Sequence, residues 1–315
     1  MRKTLAAALA FASLGLAGGA LAADYPSKTI TMVVPYGAGG ITDVMARATA
    51  RMLEKELGET IVVVNKAGAA GTVGLTAVAR DRPDGYTIAM VPAAPLIIQP
   101  HLRPVGYDLS SYDYICRVFD APIVLATAGD SEFADFADVV EYAKAHPGEL
   151  TYSSAGPGSL PHIGMVRAIK GLGVEMRHVP MEGDAGAVTA AQGGHVNLAA
   201  VGGSSVVGKD VKTIAVFSDE RMESVPDAKT AREVGLDVNM SLWGGIIAPK
   251  GIPDEARARL ASACQSVVET EAFDQEMARM ASRAAYADPD GFREVVAEDS
   301  AANAEVIGAL GMGKK

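Results

Sequence analysis

The feature that most limits what this chain can fold into is an immediate repetition of strand, glycine turn and helix. Residues 29–34 (TITMVV) form an apolar, β-branched run that reads as a buried strand. Pro35-Tyr36-Gly37-Ala38-Gly39-Gly40 breaks it, and Ile41, Met45, Ala48 and Met52 then recur at helical spacing until Gly58. The unit returns at once, with a strand at 61–64, a turn at 65–71, a short helix at 73–80 and a third strand at 86–91. Strands that are apolar throughout need cover on both faces, and helices between them supply it. The fold class is therefore α/β with a mostly parallel sheet.

A second α/β series follows an irregular passage at 100–125. Strands are expected at 150–153, 176–179, 196–201 and 213–217, with helices at 135–144, 162–170 and 184–191 between them. The run SLWGGIIA at 241–248 reads as a return to the first unit, and helices are expected from 255 to about 269, near 273–282, and from 290 to about 310. The last residues, 311–315, are expected to fray. Two lobes joined by more than one crossing result, the first crossing falling within 121–127. The expected division is a signal peptide at 1–22, lobe 1 at 23–124 and 242–315, and lobe 2 at 125–241.

The export signal rests on Arg2 and Lys3, an uncharged stretch at 5–21 and the small residues of Ala20-Leu21-Ala22, which place cleavage after Ala22. No cysteine stands at that site to take a lipid, so a protein free in the periplasm is expected. Without residues 1–22 the chain keeps 26 basic residues (28 minus 2) against 38 acidic ones, a net charge of −12. An acidic body with no basic run argues against nucleic acid and against anionic membrane surfaces. Cys116 and Cys264 are the only cysteines. One pair is too few to build a scaffold; an oxidising compartment permits a bridge, while two buried thiols is the plainer reading, and sequence alone does not place them in contact. With no CxxC or HExxH and five scattered histidines, neither a metal site nor a cofactor is expected.

The chemistry-bearing features are loops that follow strands. In an open α/β sheet a ligand lies beyond the carboxyl ends of the strands, where glycine turns and helix N-termini present main-chain N–H groups to an anion. Five such loops occur, at 36–43, 65–72, 153–162, 181–184 and 202–205. Gly37-Ala38-Gly39-Gly40 is neither a dinucleotide fingerprint, since Thr42 occupies the place of the last glycine, nor a P-loop. Asn65 reads as an ordinary turn residue, as a holder of the neighbouring loop or as a ligand contact. The loop Ser153-Ser154-Ala155-Gly156-Pro157-Gly158-Ser159 offers three hydroxyls ahead of a helix. His162 reads as an organiser of that loop more readily than as a base, because no Ser–His–Asp order is evident and no serine sits in G-x-S-x-G. Trp243 reads as packing at the re-entry into the first lobe.

These loops, in their order, resemble those of the solute-binding proteins of tripartite tricarboxylate transporters (TctC or Bug type). The resemblance is carried by VVPYGAGGITDVMAR at 33–47, VVNKAGAAGTVG at 63–74, PDGYT at 83–87, HPGELTYSSAGPGSLPH at 146–162, VPMEGDAGAV at 179–188, GGHVNLA at 193–199, VPDAKTAREVGL at 225–236 and WGGIIAPKGIPDE at 243–255. It implies a two-lobed periplasmic binding protein of the type II, Venus-flytrap kind, without catalysis. It further implies a small organic carboxylate as ligand and a membrane permease with one large and one small subunit as partner, with the receptor itself a monomer. Carried onto this chain, first-lobe contacts fall at Tyr36, Gly39, Gly40, Asp43, Ala69 and Gly71. Second-lobe contacts fall at Ser154, Ala155, Gly158, Ser159 and His162.

One departure is chemical. After Val179-Pro180 the family has an aromatic and then a basic residue, whereas this chain has Met181-Glu182-Gly183-Asp184. Either the two acids are solvated loop charges, or Asp184 faces the cleft, where it would repel a second ligand carboxylate and welcome an ammonium, a hydroxyl or a ring nitrogen. Two other functions share much of this pattern. One is an exported α/β enzyme acting on a small carboxylate, and the other a solute-sensing subunit of a signalling system.

Overall fold

The computed structural model describes residues 25–181, 183–218, 220–222, 224–234 and 240–314. The signal segment and Glu182 lie outside the described residues. The first lobe begins with β1 (Ile30–Val34), α1 (Ile41–Leu57), β2 (Ile61–Asn65), α2 (Thr72–Ala79), β3 (Thr87–Pro92) and two short helices, α3 (Ala93–Ile97) and α4 (Gln99–Leu102). Strand β4 (Tyr112–Asp120) leads into the second lobe, built from β5 (Ile123–Ala128), α5 (Phe136–Ala145), β6 (Thr151–Ser154), α6 (Leu160–Leu172), β7 (Arg177–Pro180), α7 (Gly183–Gln192), β8 (Leu198–Gly202) and β9 (Val211–Val216). The chain then returns through β10 (Gly244–Pro249), α8 (Asp254–Val268), α9 (Glu271–Ala278), β11 (Arg283–Ala287) and α10 (Pro289–Ala309).

Each lobe holds one sheet, ordered β11-β4-β10-β3-β1-β2 in the first and β7-β6-β8-β5-β9 in the second. Both sheets are mixed, which corrects the expectation of mostly parallel ones. The β1–β2, β1–β3, β6–β7 and β6–β8 pairs are parallel, but β10 runs antiparallel to β3 and β4, β11 antiparallel to β4, and β5 antiparallel to β8 and β9. Strands joined by crossover helices must be parallel, whereas a strand reached by crossing from the other lobe has no such constraint.

The lobes are joined by two segments lying side by side. Ala121 and Leu242 exchange both main-chain hydrogen bonds (3.2 and 2.7 Å), and the Ile123 N–H donates to the Met240 carbonyl (3.2 Å). Ile123 and Val124 already pair with Gly202 and Val201 in the second sheet, so the outward crossing is confined to Ala121 and Pro122. Trp243 anchors the return: it is buried, its Nε1–H donates to Asp299 Oδ2 at 2.6 Å, and its ring meets Phe292 edge-on. One apolar cluster runs through this joint, from Leu96, Tyr112 and Phe292 to Tyr152, Leu160 and Ile163. A second cluster lies between the larger sheet and helices α1, α8 and α9.

Two expectations change in these cores. Cys116 on β4 and Cys264 on α8 are both fully buried and form a disulfide, not two free thiols. The C-terminal residues are docked: the Lys314 N–H donates to the His101 carbonyl (3.2 Å), and Met312 packs on the joint cluster. Lys315 lies outside the described residues.

Candidate functional site

Strand direction decides where the loops face. The chain leaves the larger sheet at the carboxyl end of β4, and β1, β2 and β3 run the same way as β4, because β10 is antiparallel to both β3 and β4. In the smaller sheet Ile123, the first residue after the crossing, pairs with Gly202, the last residue of β8, and β6 and β7 run parallel to β8. The loops after β1, β2, β3, β6, β7 and β8 therefore all lie at the sheet ends that meet across the joint. The two sides also correspond: a Cβ added at Gly158, in the loop after β6, would lie 2.8 Å from Leu102 Cδ1, which follows β3 in the first lobe.

The loop after β1 is held by Asp43. Its carboxylate is buried and accepts the Gly39 N–H (2.9 Å), Asn65 Nδ2 (2.9 Å) and Arg47 Nε (3.1 Å). The same Asn65 amide donates to the Tyr36 carbonyl (3.0 Å), which gives that residue the loop-holding role among its alternatives. The Arg47 guanidinium beside Asp43 holds its pKa down at about 2, helped by the Gly39 and Asn65 hydrogen bonds. Asp43 is thus an internal anchor of this loop, and the Gly39 N–H is engaged by it. Tyr36 is half-buried, and burial pushes its phenol up to about 12. Gly40 is exposed and forms the N-cap of α1, with no side chain capping that helix.

The loop after β2 is strained. Gly68, Ala69, Ala70 and Gly71 all have positive φ (138°, 46°, 55° and 90°). For the two alanines the left-handed region costs roughly 1–2 kcal/mol each, a cost that packing must offset and that clusters at functional sites. The packing is visible: a Cβ at Gly71 would lie 2.7 Å from Pro95 Cγ, and one at Gly74 would lie 2.6 Å from the Lys66 carbonyl. Helix α2 starts at Gly71 without a side-chain cap and has no acid in its first turn. By contrast Asp135, Thr270 and Asp288 cap α5, α9 and α10. Helix α8, which lacks a cap, carries Asp254 and Glu255 in its first turn. A side-chain cap is worth about 1 kcal/mol, and neither α1 nor α2 has one; α1 carries Asp43 in its first turn, and at α2 the Gly71, Thr72 and Val73 N–H groups turn back onto the Gly68 and Ala69 carbonyls.

In the second lobe the hydroxyls and rings are locked together. Ser154 is fully buried, with Oγ 2.8 Å from His178 Nε2. Ser159 caps α6 by accepting the His162 N–H (3.3 Å) and donates to Ser154 Oγ (3.4 Å). The Gly158 N–H donates to His162 Nδ1 (3.1 Å), so that proton is used internally and the neutral imidazole carries its own hydrogen on Nε2. His162 stacks on His178 (centroids 4.2 Å apart), which stacks in turn on Tyr152 (4.9 Å). Burial lowers both histidine pKa values, that of His178 to about 4, so the stack is neutral at pH 7. Sequence reasoning missed His178; the only available signal was its place on a short strand beside the serine loop. Ala155 is half-buried next to this network.

Asp184 begins α7 and is half-buried, so it is not a freely solvated loop charge. Its Oδ2 accepts the Gly202 N–H (2.9 Å) and the Ser205 hydroxyl (3.2 Å), tying α7 to the end of β8, and burial raises its pKa. Among the described residues no group of three or more His, Cys, Asp or Glu side chains is placed to hold a metal ion.

Two α/β lobes, joined by paired crossings and turning the loops at their strand ends toward each other, define a two-lobed solute-binding protein. The sequence profile of the tripartite tricarboxylate transporter family receptors matches residues 45–312. A UPF0065 protein of Bordetella pertussis is 32% identical over 268 residues, 83% of each chain. A TctC solute-binding protein from Polaromonas superposes with a TM-score of 0.82 at 29% identity, over 90% of this chain and 99% of that one. MatC from Rhodopseudomonas palustris, solved with bound malate, superposes at 0.71 with 26% identity, over 90% of this chain and 100% of that one. The chain belongs to the tripartite tricarboxylate transporter receptor family, of the TctC or Bug type. It is an extracytoplasmic solute-binding receptor and not an enzyme.

Proposed function

We propose that this receptor captures a small organic carboxylate between its lobes and delivers it to a membrane permease with one large and one small subunit. The observation that carries the reading is the placing of the glycine loops that open α1 and α2 at the strand ends that face the second lobe, with the start of α1 at Gly40 left without a side-chain cap. Oriented N–H groups at such ends favour an anion and need no arginine. Malate bound to MatC is a ligand of this chemistry on a related fold. On this reading Tyr36, Gly40, Ala69 and Gly71 supply the first-lobe contacts, and Ser154, Ala155 and Ser159 supply the second-lobe contacts. Asp43 and His162 keep the two loops in shape through Gly39 and Gly158. The first boundary moves from 124 to the crossing at Ala121 and Pro122, because Ile123 and Val124 already pair in the second sheet; lobe 1 then comprises residues 23–120 and 242–315 and lobe 2 residues 123–241, and the receptor is released after cleavage at Ala22.

The test is a thermal-shift screen over mono-, di- and aminocarboxylates. A ligand present at a hundred times its Kd stabilises the native state by about 2.7 kcal/mol, and for a domain of 150–250 residues that raises Tm by about 5–11 °C. No shift across the panel, together with no carboxylate in the mass spectrum of protein purified from native expression, would refute the proposal.

A further inference from the structure

We infer that Asp184 sets the ligand class of the cleft, favouring carboxylates whose far end carries an ammonium or a hydroxyl over those ending in a second carboxylate. This rests on the carboxylate-receptor reading and narrows it.

Position comes first. Gly202 closes β8 at the sheet end that meets the first lobe, and its N–H holds Asp184 Oδ2 there. A Cβ on Gly202 would lie 3.3 Å from that oxygen and 3.0 Å from Leu242 Cδ1, so the carboxylate sits beside the returning crossing, at the base of the joint. The loop after β7 leans on the serine loop as well, because the Met181 N–H donates to the Ser154 carbonyl (3.0 Å) and a Cβ on Gly156 would lie 3.6 Å from the Met181 carbonyl. Asp184 thus stands next to the second-lobe half of the proposed ligand shell, across the joint from the starts of α1 and α2.

Charge comes second. Among the described residues the buried aspartates each have a cation: Arg47 for Asp43, Lys250 for Asp113, and Arg117 with Arg283 for Asp120. Asp184 has no cationic partner among the described residues, and both donors to its Oδ2 are neutral. A carboxylate partly withdrawn from water without a counter-charge is destabilised, and a ligand that brings a donor or a cation relieves this. A ligand that brings a second carboxylate adds like-charge repulsion in a partly desolvated cleft. The first ligand carboxylate is drawn to the helix starts of the first lobe, which turns its far end toward Asp184.

The experiment is calorimetric titration with matched sets that share one carboxylate and one spacer and differ only at the far end. Succinate, 3-hydroxypropanoate and β-alanine form the set with two methylenes, and the corresponding sets with three and four methylenes test length. At the best spacer the amino or hydroxy member is expected to bind wild-type protein at least tenfold more tightly than the diacid. In Asp184→Asn, whose amide oxygen still accepts the Gly202 N–H, that preference is expected to fall below threefold. A wild-type preference for the diacid overturns the inference and leaves the carboxylate reading standing. An unchanged preference in a folded Asp184→Asn also overturns it. Failure of every set, and of the wider acid panel, to bind wild-type protein removes the carboxylate reading and this inference with it. The wild-type comparison decides the question even if the variant does not fold.

Discussion

Replacing Cys116 and Cys264 together with alanine removes a cross-link that spans 148 residues and ties the central part of β4 to helix α8. Closing a loop of that length in the unfolded chain withdraws about 17 cal/mol/K of entropy, roughly 5 kcal/mol at 25 °C by the chain-entropy relation, and measured losses for native bridges run from about 2 to 5 kcal/mol. Both sulfurs are fully buried in the core beneath α1 and α8, so alanine also leaves a small cavity worth about 1 kcal/mol. A fall of about 3–5 kcal/mol is expected in equilibrium urea unfolding, with Tm lower by roughly 6–20 °C at 2–4 °C per kcal/mol. The bridge lies among residues of the larger sheet and its helices, not among the loops at the joint, so ligand affinity is expected to stay within twofold. A loss below about 1 kcal/mol would refute the cross-link as a major stabiliser. Two alkylatable thiols in the denatured, unreduced protein would refute the bridge itself.

Three further perturbations separate loop geometry from folding. The pKa of Asp43 is depressed to about 2, below its unfolded value near 4, so its contribution is complete above pH 4 and is lost as pH falls from 4 to 2; Asp43→Asn is expected to flatten that acid limb of the Tm–pH curve and to weaken ligand binding at neutral pH. An unaltered limb would show that the carboxylate holds nothing. Gly158→Val places a β-branched residue at φ +75° with its Cβ 2.8 Å from Leu102 Cδ1, and is expected to lower stability by roughly 1–3 kcal/mol and to weaken binding further than that loss explains, read by unfolding and titration in parallel. Ala70→Gly relieves a left-handed alanine and is expected to leave Tm unchanged or raise it, by up to about 1 kcal/mol of stability, while loosening the loop and weakening the ligand; a lower Tm would contradict the strain assigned to φ 55°.

Much of the architecture is written locally. β-Branched runs such as Ile61–Asn65 and glycine turns such as 37–40 state strand and turn within a few residues, and the helix spacing of α1 follows from its own sequence. What depends on distant partners is less legible. Strand β11 (RAAYA) contains no β-branched residue and is half-buried throughout; it is a strand because β4 offers an antiparallel edge, and alanines alone do not announce that. Helix α3 contains Pro95 and follows β3 directly, so local reading stops at Pro92. The directions of β10 and β5 are fixed by the crossings, and the pairing of Cys116 with Cys264 by packing across 148 residues.

The site divides in the same way. Its loops are legible because glycines and hydroxyls at strand ends have few other reasons to cluster. The internal use of their donors is not, because the His162 Nδ1 acceptor and the Asp43 carboxylate find Gly158 and Gly39 only in three dimensions. His178 enters through stacking, a contact with no sequence spacing of its own.

Hydrogen exchange with and without the carboxylate found by the screen tests the joint grip of the two lobes most directly. Peptides covering 37–43, 67–72 and 154–159 are expected to gain protection together and at the same ligand concentration. Protection confined to one lobe, or to surfaces away from these loops, would contradict a ligand held between facing strand ends.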